Sequence, residues 1–164
     1  MAAFPPVLSA DPSHLILGSM PGRRSLERTQ YYAHPQNSFW YIMSQVCGFD
    51  LALDYPKRLE SLTDAGYCLW DVLHDCDREG SLDSKIEKYS EVPNNFKTFF
   101  EDNPTLKLVG FNGQASRKIF NRHFAWLYQE LEHIKWVDLP STSPAHARLN
   151  RSEKYKIWSK QLTP

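Results

Sequence analysis

With 164 residues, 41% hydrophobic and 13% aromatic, the chain is long enough for one domain with a sizeable core and too apolar to be disordered. Its 19 Lys and Arg balance 19 Asp and Glu, so bulk electrostatics alone cannot select its partner, although Lys and Arg gathered on one edge would still suit a nucleic acid. The 3 cysteines, Cys47, Cys68 and Cys76, are odd in number and form no C-x-x-C pair, which argues against a disulfide framework or a zinc ribbon and for reduced thiols.

The opening residues lack the basic start and apolar core of a signal peptide. No apolar run approaches the roughly 20 residues that span a bilayer. The expected setting is therefore cytoplasmic, with no membrane partner.

The first predicted element is a strand over 14–18, HLILG. It ends in Gly-Ser-Met-Pro-Gly, where Gly18 and Gly22 permit close backbone approach to a ligand. The loop that follows carries Arg23, Arg24 and Arg28, suited to phosphates, and Tyr31 and Tyr32, suited to stacking on a flat ring. An ordinary βα turn with a solvated basic loop and two core tyrosines fits the same residues. Residues 38–47 form a helix, because Phe39, Ile42, Met43 and Val46 recur on one face. Asn37 is either its N-cap or an amide that positions a water or ligand; an amide is no base near neutral pH.

A second helix spans 57–65 behind Pro56, and a strand spans 67–72. Asp71, at that strand's end, suits either a cap or a ligand edge bearing N–H groups. The acidic stretch 71–79 and the mixed-charge stretch 81–91 read as a long surface connection. Then come a helix over 93–102, a strand over 106–111 and a helix over 114–123 that opens on Asn112-Gly113-Gln114. A strand over 134–139 leads into LPSTSPAHAR, whose prolines stiffen a small polar loop suited to a phosphate backbone or to a plain turn. A helix over 152–162 ends the chain.

Strands alternating with helices predict an α/β fold with a parallel sheet covered on both faces, in one domain over 1–164. Ligands of such sheets bind beyond the carboxyl ends of the strands, where the unusual residues of this chain cluster. The spacings of zinc hydrolases, Rossmann folds, P-loops and serine-nucleophile elbows are missing.

Three blocks together are more specific: Gly18-Ser19-Met20-Pro21-Gly22; Tyr32-Ala33-His34-Pro35-Gln36-Asn37-Ser38-Phe39-Trp40; and Leu139-Pro140-Ser141-Thr142-Ser143-Pro144-Ala145-His146-Ala147. They resemble the uracil-DNA glycosylase superfamily, and within it the hypoxanthine-DNA (deoxyinosine) glycosylase branch. The resemblance covers nearly the whole chain. It implies a three-layer sandwich around a four-stranded parallel sheet of order 2-1-3-4, acting as a monomer on DNA that contains deaminated bases, with no metal and no cofactor.

It also implies roles. Tyr32 stacks on a flipped base, the main chain at Ser19 and Met20 holds the base or the attacking water, and Asp71 stands where many relatives place an Asn that reads the base edge. Arg23, Asn112 and the loop of Ser141, Thr142, Ser143, Pro144 and His146 meet the DNA. Wider-superfamily members carry a catalytic Asp or Asn at the third position of the first motif; here it is Met20, which cannot activate water. By resemblance the hypoxanthine branch uses the Asn before x-Phe-Trp, which is Asn37. The implied reaction is hydrolysis of the N-glycosidic bond of deoxyinosine, with uracil and xanthine as further candidate bases, by a monofunctional enzyme. Two other readings stay open: a catalytically inactive module that binds damaged DNA, for which Met20 speaks, and a nucleoside or nucleotide hydrolase on the same sheet.

Overall fold

The computed structural model describes residues 3–163. Its strands are β1 (His14–Gly18), β2 (Tyr67–Asp71), β3 (Leu73–Asp75), β4 (Val92–Pro93), β5 (Leu108–Asn112) and β6 (Lys135–Leu139). Its helices are α1 (Arg23–Arg28), α2 (Phe39–Cys47), α3 (Tyr55–Asp64), α4 (Phe96–Asp102), α5 (Gln114–Phe124), α6 (Leu127–Glu130) and α7 (Arg151–Gln161).

Four strands form one parallel sheet in the order β2-β1-β5-β6, which is the expected 2-1-3-4. β1 is fully buried because neighbours flank it on both edges and helices cover both faces. Its side chains alternate between them. Leu15 and Leu17 join Phe96 and Phe99 of α4 and Phe120 and Phe124 of α5. Ile16 joins Phe39, Ile42 and Met43 of α2, Leu62 of α3 and Trp158 of α7. The result is three layers, helix–sheet–helix.

Local chemistry sets the helix starts. Asp54 caps α3 by accepting the Lys57 N–H at 3.1 Å, with Pro56 in the first turn as expected. Asn150 and Glu153 form a capping box at the start of α7. α4 begins later than expected: Pro93 pairs with Leu73 in the small antiparallel β3–β4 pair, and Asn95 accepts the Thr98 N–H at 3.2 Å. That pair, and the short helices α1 and α6, are too brief to show a periodicity in the sequence. No helix among the described residues is long and apolar enough to cross a membrane.

Candidate active site

The loops after β1, β2, β5 and β6 enclose a cavity of about 520 Å³. Ser19, Met20, Arg23, Tyr32, Asn37 and Asp71 line it, together with Asn112, Ser141, Thr142, Ser143 and Pro144. Of the site residues expected from the sequence, His146 alone lies outside the lining; its N–H turns back to the Ser143 carbonyl at 3.0 Å.

The floor is made where β1 and β2 end side by side, with Gly18 in register with Asp71. Asp71 is 4% exposed, and its Oδ2 is enclosed with no hydrogen-bond partner among the described residues. Its Oδ1 lies over Gly18, 2.4 Å from where a Cβ would stand. Burial, and next the Asp83 carboxylate, push the Asp71 carboxyl up to about 7 against the pull of Arg78. Tyr32 has φ of 56°, a left-handed conformation costly for a side chain with a Cβ. That turn lays its ring on Phe39, with centroids 4.0 Å apart and planes 27° apart. Burial keeps the Tyr32 hydroxyl protonated.

Asn37 serves the fold and lines the cavity at once. Its Oδ1 accepts the Phe39 N–H at 2.9 Å, so it satisfies a free donor of the first turn of α2, which Ser38 at the cap position does not do with its side chain. Its own N–H is held by the His34 carbonyl at 2.9 Å. The amide is therefore fixed, with its Nδ2 donors and one lone pair of Oδ1 left over among the described residues.

Asn112 and Thr142 line the cavity and also brace its loops. Both are buried and spend their side chains on each other: Thr142 N–H donates to Asn112 Oδ1, and Asn112 Nδ2 donates to Thr142 Oγ1, each at 3.0 Å. Thr142 also accepts the Ser38 N–H at 3.0 Å. The pair pins the last loop to the end of β5 and to the start of α2. Within that loop Ser141 Oγ accepts the Ser143 N–H, and Ser143 Oγ accepts the Ala145 N–H, both at 3.2 Å. Met20 is 6% exposed and belongs to the apolar cluster on the α4–α5 face, so its thioether is packing.

The connection after β2 is not merely surface. Gly80, Ser81, Leu82 and Asp83 form one wall of the cavity. Three bonds strap this wall to the first loop: Ser19 Oγ to Asp83 Oδ1 at 2.5 Å, Arg78 Nη2 to the Pro21 carbonyl at 2.5 Å, and Arg23 N–H to Ser81 Oγ at 2.9 Å. The Arg78 side chain is 2% exposed, and its Nη1 stands 3.7 Å from Asp83 Oδ1. The composition of this stretch is that of a solvated loop, and no periodicity distinguishes Arg78 and Asp83 from their neighbours.

Residues 5–162 match the family model of the uracil DNA glycosylase superfamily. The chain is 36% identical over 152 residues to a hypoxanthine DNA glycosylase of Methanosarcina acetivorans, covering 92% of this chain and 91% of that protein. It is 44% identical over 114 residues to a hypoxanthine DNA glycosylase of Methanosarcina barkeri, covering 69% of this chain and 71% of that one. A solution NMR structure of a Methanosarcina acetivorans protein assigned as a uracil DNA glycosylase matches with a TM-score of 0.79 at 33% identity, over 98% of this chain and 97% of that one.

Proposed function

Since the chain belongs to the uracil DNA glycosylase superfamily and is a DNA glycosylase, we propose that it excises hypoxanthine from deoxyinosine in DNA, with Asn37 positioning the water. One observation carries this reading: a single cavity at the strand ends collects a fixed amide, an aromatic ring and a buried carboxyl, the parts that base excision needs. A base is unreachable inside the duplex, so the nucleotide flips out at a cost of a few kcal/mol. Stacking against Tyr32 offsets about 1–3 kcal/mol of that cost. Asn37 aims water at C1′; the bond from C1′ to N9 breaks with its electron pair on the base, C1′ keeps the hydroxyl, and the other proton of the water ends on the departing base. Asp71 accepts the N1–H of hypoxanthine, a hydrogen that adenine lacks.

No lysine is among the residues that line the cavity, which supports water rather than an amine as nucleophile. The test is single-turnover incubation with a duplex carrying one deoxyinosine. The expected result is free hypoxanthine and an abasic strand that breaks only in alkali, with no protein–DNA adduct trapped by borohydride. Trapping with strand scission would overturn the monofunctional reading. No release, with retained affinity for the damaged duplex, would leave a binding module, the alternative that the buried Met20 favours.

In this reading the last loop, where Pro144 is exposed, and the exposed Arg23 face the DNA. Behind that loop Lys154 of α7 is 3% exposed, and its Nζ donates to the Ser143 carbonyl at 3.3 Å. Burial lowers its pKa, and no carboxylate pairs with it among the described residues. A phosphate on the loop supplies the missing counter-charge. Lys154→Met is expected to leave the fold as stable or slightly more so, because it removes an unpaired buried charge. DNA affinity is expected to weaken several-fold while the rate at saturation is kept. Equal affinity in a titration of labelled duplex would refute this role.

A further inference from the structure

The carboxyl of Asp71 has surroundings that do not suit an anion. Oδ2 is enclosed and meets no donor among the described residues. An ionised oxygen buried without a partner costs far more than a buried hydroxyl. The cation acting on Asp71, Arg78, spends Nη2 on the Pro21 carbonyl and leans toward Asp83, while its Nε and Nη1 make no hydrogen bond among the described residues. Asp83 adds a second carboxylate to the same wall.

We propose that Asp71 works as a neutral carboxylic acid, its proton on the enclosed Oδ2 and its Oδ1 offered over Gly18 as a carbonyl acceptor. This rests on the glycosylase reading above and names the substrate class: bases with a ring N–H beside a carbonyl, as in hypoxanthine. Adenine presents a lone pair at that ring nitrogen, so two acceptors would face each other and the base is refused. Neutrality also serves the chemistry. The leaving base gathers negative charge, which a carboxylate against its edge would oppose and a neutral acid does not.

The groups around Asp71 are Asp83 and Arg78 from the strap, and Tyr31 and Tyr32 from the loop after β1, with His34, Arg23 and Arg24 elsewhere on the cavity lining. Burial and Asp83 place the ionisation of Asp71 at about 7. The neutral, active form is complete at lower pH and is lost as pH rises through that value.

The experiment is single-turnover hypoxanthine release over roughly pH 5.5 to 8, with wild type, Asp71→Asn and Asp83→Asn. Wild type is expected to slow as pH rises, approaching tenfold per unit on the alkaline side. Asp71→Asn, neutral at every pH, is expected to keep release within about tenfold of the acid-side rate and to lose the slope. Asp83→Asn removes a neighbouring negative charge, so its decline is expected to begin at lower pH. A slope that persists in Asp71→Asn overturns the proposal; so does a flat wild-type profile, adenine released as readily as hypoxanthine, or an Asp71→Asn protein that binds the duplex and releases nothing. Absence of hypoxanthine release by wild type at every pH would instead sink the glycosylase reading itself.

Discussion

Asn37→Ala is expected to slow single-turnover hypoxanthine release by about 10²–10⁴-fold, the range lost with a positioned group that handles the reacting water. Two roles meet in that side chain. Its Oδ1 accepts the Phe39 N–H at 2.9 Å, so truncation also removes a cap from α2, worth about 0.5–2 kcal/mol. Asn37→Asp separates them. A carboxylate keeps the acceptor for Phe39 and a lone pair for water, and it suits a helix start. Stability close to wild type is expected for Asn37→Asp, with release retained within about tenfold, because an oxygen still faces the water. Thermal unfolding and duplex affinity, measured beside the rate, complete the test. A rate loss in Asn37→Ala that disappears once the protein is assayed fully folded and saturated with DNA would leave Asn37 as a cap only.

The parts of this molecule that obey a period were legible in the sequence. HLILG reads as a buried strand and is one because β2 and β5 flank it. The spacing of Phe39, Ile42 and Met43 names the buried face of α2. The rule that ligands lie beyond strand ends then found the cavity, since each predicted strand end delivers a loop to it. What stayed hidden depends on contacts between segments far apart in sequence. Arg78 and Asp83 are charged residues in a polar stretch, and only the chain's return over Pro21 and Ser19 makes them part of the site. Asn112 and Thr142 are polar residues near a predicted ligand, and only their mutual bonds, 30 residues apart, show that they hold loops together. Met20 departs from the wider superfamily by its residue type, which the sequence shows. Its place in the apolar core is seen only in the fold.

Gly18→Ala is expected to cut base release by about 10²-fold or more while barely lowering the unfolding temperature, an effect of the size that misplacing a reacting group by an ångström produces. Gly18 is an ordinary strand residue, so the backbone accepts alanine, and alanine is the better strand former. The whole cost comes from the new Cβ, which would stand 2.4 Å from Asp71 Oδ1 and 3.3 Å from Tyr32 Oη. The strand cannot give way easily. Gly18 is paired in register with Asp71, whose carbonyl holds Asn94 Nδ2 at 2.7 Å. The Asp71 side chain must therefore rotate, taking its acceptor off the base edge. A double-mutant cycle identifies that route. With Asp71 already replaced by alanine there is no Oδ1 to displace, so adding Gly18→Ala is expected to change the rate little. An equal loss in both backgrounds would assign the damage to the ring of Tyr32 and leave Asp71 without the role given to it here.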